Sequence, residues 1–183
     1  MRLFNKGIKH KNSVTPDQIS AAKLIRSFIM SVSCILVITF STQAQTKIYK
    51  GSSSSYSDII CTVHNDKVYK GSSNSYSDIL CSIQGDRIYK GSSSSYSDII
   101  YTIKDGKVYK GSSSSYSDIV WTINDGRVYR NSSSSYSDIL TSYSNGKVYK
   151  GSSSSYSDIL YNYSDHLSIE EFVAVWYVVK YVY

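Results

Sequence analysis

The stretch Arg87-Ile-Tyr-Lys-Gly-Ser-Ser-Ser-Ser-Tyr-Ser-Asp-Ile-Ile-Tyr-Thr-Ile-Lys-Asp-Gly106 decides the reading of this chain, because it returns with no insertion or deletion at Lys47, Lys67, Arg87, Lys107, Arg127 and Lys147. Six copies of a 20-residue unit cover residues 47–166. A fixed period of this length marks stacked supersecondary units, none of which hides its own apolar face alone. The first five copies each carry a two-residue pair, Asn65-Asp66, Gly85-Asp86, Asp105-Gly106, Asp125-Gly126 and Asn145-Gly146, between an apolar segment and a Lys/Arg-Val/Ile-Tyr segment. Pairs that accept positive φ between two strand-like runs are the strongest local signal for a β-hairpin.

With Asp105-Gly106 as the two-residue loop, Lys104 stands opposite Lys107, Ile103 opposite Val108, Thr102 opposite Tyr109, Tyr101 opposite Lys110 and Ile100 opposite Gly111. One face then holds Ile99, Tyr101, Ile103 and Val108, which is core. The other holds Ile100, Thr102, Tyr109 and Gly111 and is only half apolar. The expected fold is therefore all-β, with six tandem hairpin repeats over residues 45–166. Laid flat, twelve strands at about 4.8 Å would make a sheet with one uncovered apolar face. The sheet must coil, either as a β-solenoid-like array, the arrangement preferred here, or as a closed up-and-down β-barrel or ring. Cys61 and Cys81 occupy the same place in successive copies. In stacked rungs they come near enough for a disulfide, whereas in a side-by-side meander they lie about 9–10 Å apart and cannot bond.

Outside the repeats the chain changes character. Residues 1–44 contain Lys23 and Arg26 ahead of an apolar run from Phe28 to Phe40, then Ser41-Thr-Gln-Ala44. This reads as a signal peptide, too short to span a bilayer, with the exported body starting near Gln45 and no membrane span after its removal. The leader holds six Lys/Arg and one Asp, so the remaining fourteen Lys/Arg and thirteen Asp/Glu give the body +1 of the chain's +6. A body so nearly neutral lacks the cationic footprint that nucleic acid requires. At the other end, residues 167–183 read as a capping helix. Ser168 and Glu171 form a capping box, and Phe172, Val175, Trp176, Val179 and Tyr183 recur at helical spacing. The Val, Tyr and Trp content leaves a strand as the alternative. A membrane-surface anchor is disfavoured by Glu170 and Glu171 beside a lone Lys180.

Two sets of residues repeat without change. The strand tyrosines Tyr49, Tyr69, Tyr89, Tyr109, Tyr129 and Tyr149 and the loop carboxylates Asp58, Asp78, Asp98, Asp118, Asp138 and Asp158 are the candidate ligand-binding groups, since a phenol ring offers a flat face to a sugar while Asp and Ser offer oxygens. The plainer reading has each Asp capping its loop by accepting backbone amides. The loop tyrosines Tyr56 to Tyr156, at steps of 20, are equally unchanged. No cofactor or metal site is expected: one carboxylate per unit is a thin supply for calcium, and two body histidines, His64 and His166, make neither a zinc site nor a base for six identical Ser-Asp pairs. Catalysis is not expected.

The block 47–166 resembles uncharacterised exported bacterial tandem-repeat proteins of the Tyr-Lys-Gly-Ser-Ser-Tyr-Ser-Asp type, a resemblance that implies no activity. Its layout is similar to choline-binding hairpin modules, but it lacks their paired Trp and Gly-Trp motif, so no ligand carries over. The expected function is a secreted or envelope-bound multivalent binding module for glycan or cell-envelope polymer. The alternative is a passive structural or surface protein, whose copy number can vary freely.

Overall fold

The computed structural model describes residues 45–183; the leader read as a signal peptide lies outside them. Twelve strands alternate around one sheet: β1 (Thr46–Lys50), β2 (Ile59–His64), β3 (Lys67–Lys70), β4 (Ile79–Gln84), β5 (Arg87–Lys90), β6 (Ile99–Lys104), β7 (Lys107–Lys110), β8 (Ile119–Asn124), β9 (Arg127–Arg130), β10 (Ile139–Ser144), β11 (Lys147–Lys150) and β12 (Ile159–Tyr163). The hairpin register is the expected one, with Tyr101 opposite Lys110, Thr102 opposite Tyr109, Ile103 opposite Val108 and Lys104 opposite Lys107. Its turn residues Asp105 and Gly106 both take positive φ, as a two-residue hairpin loop of type I′ demands. Only glycine fits at position 106, where an added Cβ would lie 2.7 Å from the Ile123 carbonyl oxygen of the neighbouring hairpin.

The sheet closes on itself, so the barrel replaces the solenoid as the architecture. The reason lies in the frame of the repeat. Each hairpin runs from the second half of one copy into the first half of the next, which leaves β1 without a hairpin partner at the start and β12 without one at the end. These two strands pair in hairpin register, Ile48 opposite Tyr163 and Lys50 opposite Tyr161, and the Ser164 amide donates to the Lys47 carbonyl at 3.1 Å. Closure thus builds the sixth hairpin from the two ends of the array and leaves no free edge.

Every crossing of a long loop carries a β-bulge. In the third copy Ile99 pairs with Tyr89 and Tyr101 with Ile88, so Ile100 is the extra residue. The bulge corrects the face assignment made from strict alternation. Ile100 packs on the central core, while Ile99, although buried, stands outside it and opposite Tyr89.

Residues Ile169–Tyr181 form helix α1, with Ser168 Oγ accepting from the Glu171 amide at 3.1 Å and Glu171 Oε2 accepting from the Ser168 amide at 2.8 Å. The helix does not cap a stacked end: it fills the lumen. Phe172, Val173, Ala174, Val175, Trp176 and Val178 are all buried, leaving no polar side along this stretch. Aromatic contacts tie it to strands around the wall, Tyr177 to Tyr101, Trp176 to Trp121 and Tyr161, and Phe172 to Tyr143. Twelve strands spaced about 4.8 Å and tilted about 35–45° enclose a backbone radius of roughly 11–13 Å, against about 5–6 Å for a helix with its side chains. One layer of wall side chains fills the difference. The variable position Cys61, Cys81, Tyr101, Trp121, Thr141, Tyr161 belongs to that layer, and its variety matches a six-fold wall to a plug that lacks six-fold symmetry. Among the described residues no helix is long and apolar enough to cross a membrane.

Cys61 and Cys81 are free thiols, fully buried in the lumen and separated by β3, so the disulfide that stacking would have allowed is absent. Burial pushes the Cys81 thiol up to about 12, and burial together with Cys81 pushes Cys61 upward as well. Both groups are raised on folding, so their contribution to stability is full below the ordinary thiol range near 8.5 and is lost as pH climbs toward 12. In a chain spanning residues 45–183, which lacks Cys34, a thiol reagent at pH 8 is expected to label neither Cys61 nor Cys81 while folded and both after denaturation. The melting temperature should fall as pH rises above about 9; prompt labelling of the native protein would contradict the lumen position.

Candidate functional site

The polar machinery of each copy sits where the long loop returns over the outer wall. The residue following the core-facing variable position always carries a side-chain donor, and it holds the returning loop: Thr62 Oγ1 donates to the Gly71 carbonyl at 2.7 Å, Thr102 Oγ1 to Gly111 at 2.8 Å and Ser142 Oγ to Ser153 at 2.8 Å. In the last copy Asn162 bonds the Gly51 and Ser53 carbonyls, both at 2.8 Å, across the closure. Thr, Ser and Asn serve alike because the only requirement is a short donor.

Inside the loop, Ser53 Oγ donates to Asp58 Oδ2 at 2.6 Å and accepts from the Ser55 amide at 3.1 Å. The same pair recurs in every copy at 2.5–2.6 Å. The carboxylate therefore braces the loop through a serine hydroxyl, one step removed from the backbone amide it was expected to cap. A hydrogen bond to a charged acceptor is among the stronger kinds, worth about 1.5–3 kcal/mol when shielded. Asp58, Asp78, Asp98, Asp118, Asp138 and Asp158 are thus engaged in holding six short 3-10 turns, Tyr56–Asp58 and its equivalents.

The two tyrosine sets part company. Strand residues Tyr69, Tyr89, Tyr109 and Tyr129 are 6–8% exposed, flattened between a neighbouring Thr or Ser and the Ile across the bulge. Tyr49 and Tyr149 are half-buried. Such rings offer an edge at most. The loop tyrosines are 67–73% exposed in all six copies, the largest exposed apolar groups of the repeat block. They were visible in the sequence as an unchanged position, but identity between copies marks buried and bare positions equally.

These exposed rings stand among polar groups. Lys47 Nζ lies 5.9 Å from the Tyr56 ring centre and the Arg87 guanidinium carbon 5.9 Å from that of Tyr96, within cation–π range. Tyr56 Oη lies 2.5 Å from Ser72 Oγ of the next loop. Between the fifth and sixth copies a groove of about 330 Å³ is lined by Arg127, Ser142, Tyr149 and Ser152 to Ser154. The outer wall is therefore a belt of six aromatic platforms among serine hydroxyls, on loops braced from behind, with a cation beside the ring at Tyr56 and Tyr96.

Residues 48–176, more than half of the chain, match the family model described as 6-fold beta flower protein. No curated protein and no solved structure matches the chain.

Proposed function

The chain belongs to the 6-fold beta flower protein family, and from that premise we propose that it is an exported, non-catalytic module whose outer wall presents six equivalent weak sites to a glycan or cell-envelope polymer. The observation that carries this reading is the belt of loop tyrosines. Packing does not require a large ring that stays more than two-thirds in water, yet every copy has one on a braced turn. A braced ring loses little freedom on stacking against a sugar, which is the economical way to bind with few contacts. Each site alone is weak; a polymer that reaches several at once gains roughly 10²–10⁴ in avidity.

The alternative is a passive surface protein in which serines and tyrosines hydrate the wall. It is favoured by the Tyr56–Ser72 hydroxyl pair, which joins adjacent loops. The two readings separate on substitution. Replacing one loop tyrosine, Tyr96→Ala, is expected to lower retention on immobilised glycans or purified envelope polymer only slightly, whereas replacing all six removes it, a fall of at least about a hundredfold. Circular dichroism should be unchanged because these rings are exposed. Retention of the six-fold variant at the level of the parent would leave the passive reading.

A further inference from the structure

One register position breaks the repeat in a directed way. It reads Val63, Ile83, Ile103 and Ile123, then Tyr143 and Tyr163. The two phenols come together at the end of the barrel where α1 goes in, beside the hairpin turn Asn145-Gly146 and the segment Ser164-Asp165-His166 that stands where the closing hairpin has no turn. Together they line an open cleft of about 570 Å³. The Tyr143 ring is backed by Phe172, 4.5 Å between centres, so the helix fixes one wall. Asp165 Oδ1 accepts from the His166 amide at 2.8 Å and fixes another.

The lining chemistry selects the ligand class. Two aromatic faces, hydroxyls, a side-chain amide, an imidazole and a carboxylate offer donors and acceptors in several directions, and neither Lys nor Arg is among the lining residues. A phosphate or sulfate would find the Asp165 carboxylate and no cation. A polyhydroxylated neutral ring finds stacking surface and mixed hydrogen-bond partners, in a volume within the usual range for small-molecule sites. The geometry points to a single binding site for a neutral saccharide of one or two rings at this mouth, which no loop tyrosine lines, and which is independent of the reading given above. Burial raises both phenols, Tyr163 further through the neighbouring Tyr143, so they remain donors through neutral pH.

The test is a titration of the full chain with maltose, cellobiose, lactose and N,N′-diacetylchitobiose, following the His166 imidazole and tyrosine ring resonances by NMR. At least one disaccharide is expected to shift His166 saturably, with a Kd of about a millimolar or tighter. Tyr163→Phe, which keeps the ring and removes one hydroxyl, should weaken binding about five- to tenfold. Tyr163→Ile, the residue found in three other copies, should abolish it. Tyr96→Ala, on the outer wall, should leave the titration unchanged, so that failure here and failure of the outer-wall reading are told apart. No His166 shift with any of the four sugars up to about 20 mM, or parental affinity in Tyr163→Phe, overturns the proposal. Should Tyr163→Ile not fold, the phenylalanine variant decides.

Discussion

A chain ending at Leu167 is expected to lose its cooperative thermal transition and to bind a hydrophobic dye, although every residue of the barrel wall is present. The reason is the width of the ring. About eight strands make a barrel that its own side chains can fill, whereas twelve leave an unfilled lumen. Here the wall points Val68, Ile88, Val108, Val128 and Val148 inward, all fully buried, and α1 covers them. Burying a large apolar side chain contributes about 1.5–3 kcal/mol. Phe172, Val173, Val175, Trp176 and Val178 together therefore supply an amount comparable to the whole stability of an ordinary domain, about 5–15 kcal/mol. Trp176→Ala alone should cost about 3–5 kcal/mol, read as a drop in melting temperature by near-ultraviolet circular dichroism, where Trp121 still reports. Ser114→Ala, at an exposed position of the outer loop, serves as the control. If the shortened chain melts cooperatively within a few degrees of the parent, the helix is not the core of the barrel.

Which of these features the sequence announced depends on the range over which each is decided. The hairpin register was legible because Asp105-Gly106 and its equivalents fix it within four residues. Closure was also written in the chain, but in its frame: a block that opens on Lys47-Ile48-Tyr49 and finishes on Ile159–Tyr163 has an unpaired half-hairpin at each end, and a solenoid would leave both bare. The lumen helix announced itself too. Reading Phe172, Val175, Trp176 and Val179 as a stripe passes over Val173, Ala174 and Val178 between them, and a helix that is apolar all round is a buried one. The bulge at Ile100 was not legible, since alternation of period two has no term for an extra residue. Nor was the choice between tyrosine sets. Tyr109 is buried because Thr102 holds the Gly111 carbonyl and folds the loop back, which is a tertiary outcome, while Tyr116 on that loop is carried into water. The Ser-Asp brace was half legible: pairing was foreseeable, but the partner was the serine hydroxyl two residues into the loop.

Deleting one whole copy, residues 87–106, is expected to be as damaging as removing the helix, even though the cut is locally seamless. It joins Asp86 to Lys107, so the turn Gly85-Asp86 still leads into a Lys-Val-Tyr-Lys strand and every remaining hairpin keeps its register. In an open solenoid such a deletion removes one unit and its interface, and the rest folds. In a closed ring the circumference falls by two strands, about 10 Å, and the radius by roughly 2 Å. The wall then presses on a helix whose diameter has not changed, and the lumen also loses Ile88, Tyr101 and Ile103, including the ring that packs on Tyr177. Adding a seventh copy should fail in the opposite sense, because the widened lumen leaves voids around α1 that cost about 24 cal/mol for each cubic ångström. Thermal melts and sedimentation of the five-, six- and seven-copy chains check this: only the six-copy chain should be a cooperative monomeric fold. A five-copy chain as stable as the parent would break the link between ring size and helix. The closed ring also changes what copy number can say about function. Six is set by the plug, so a sharp dependence of ligand retention on copy number can no longer separate a multivalent binder from a passive wall. That distinction rests on the exposed tyrosines, which can be removed while the ring stays whole.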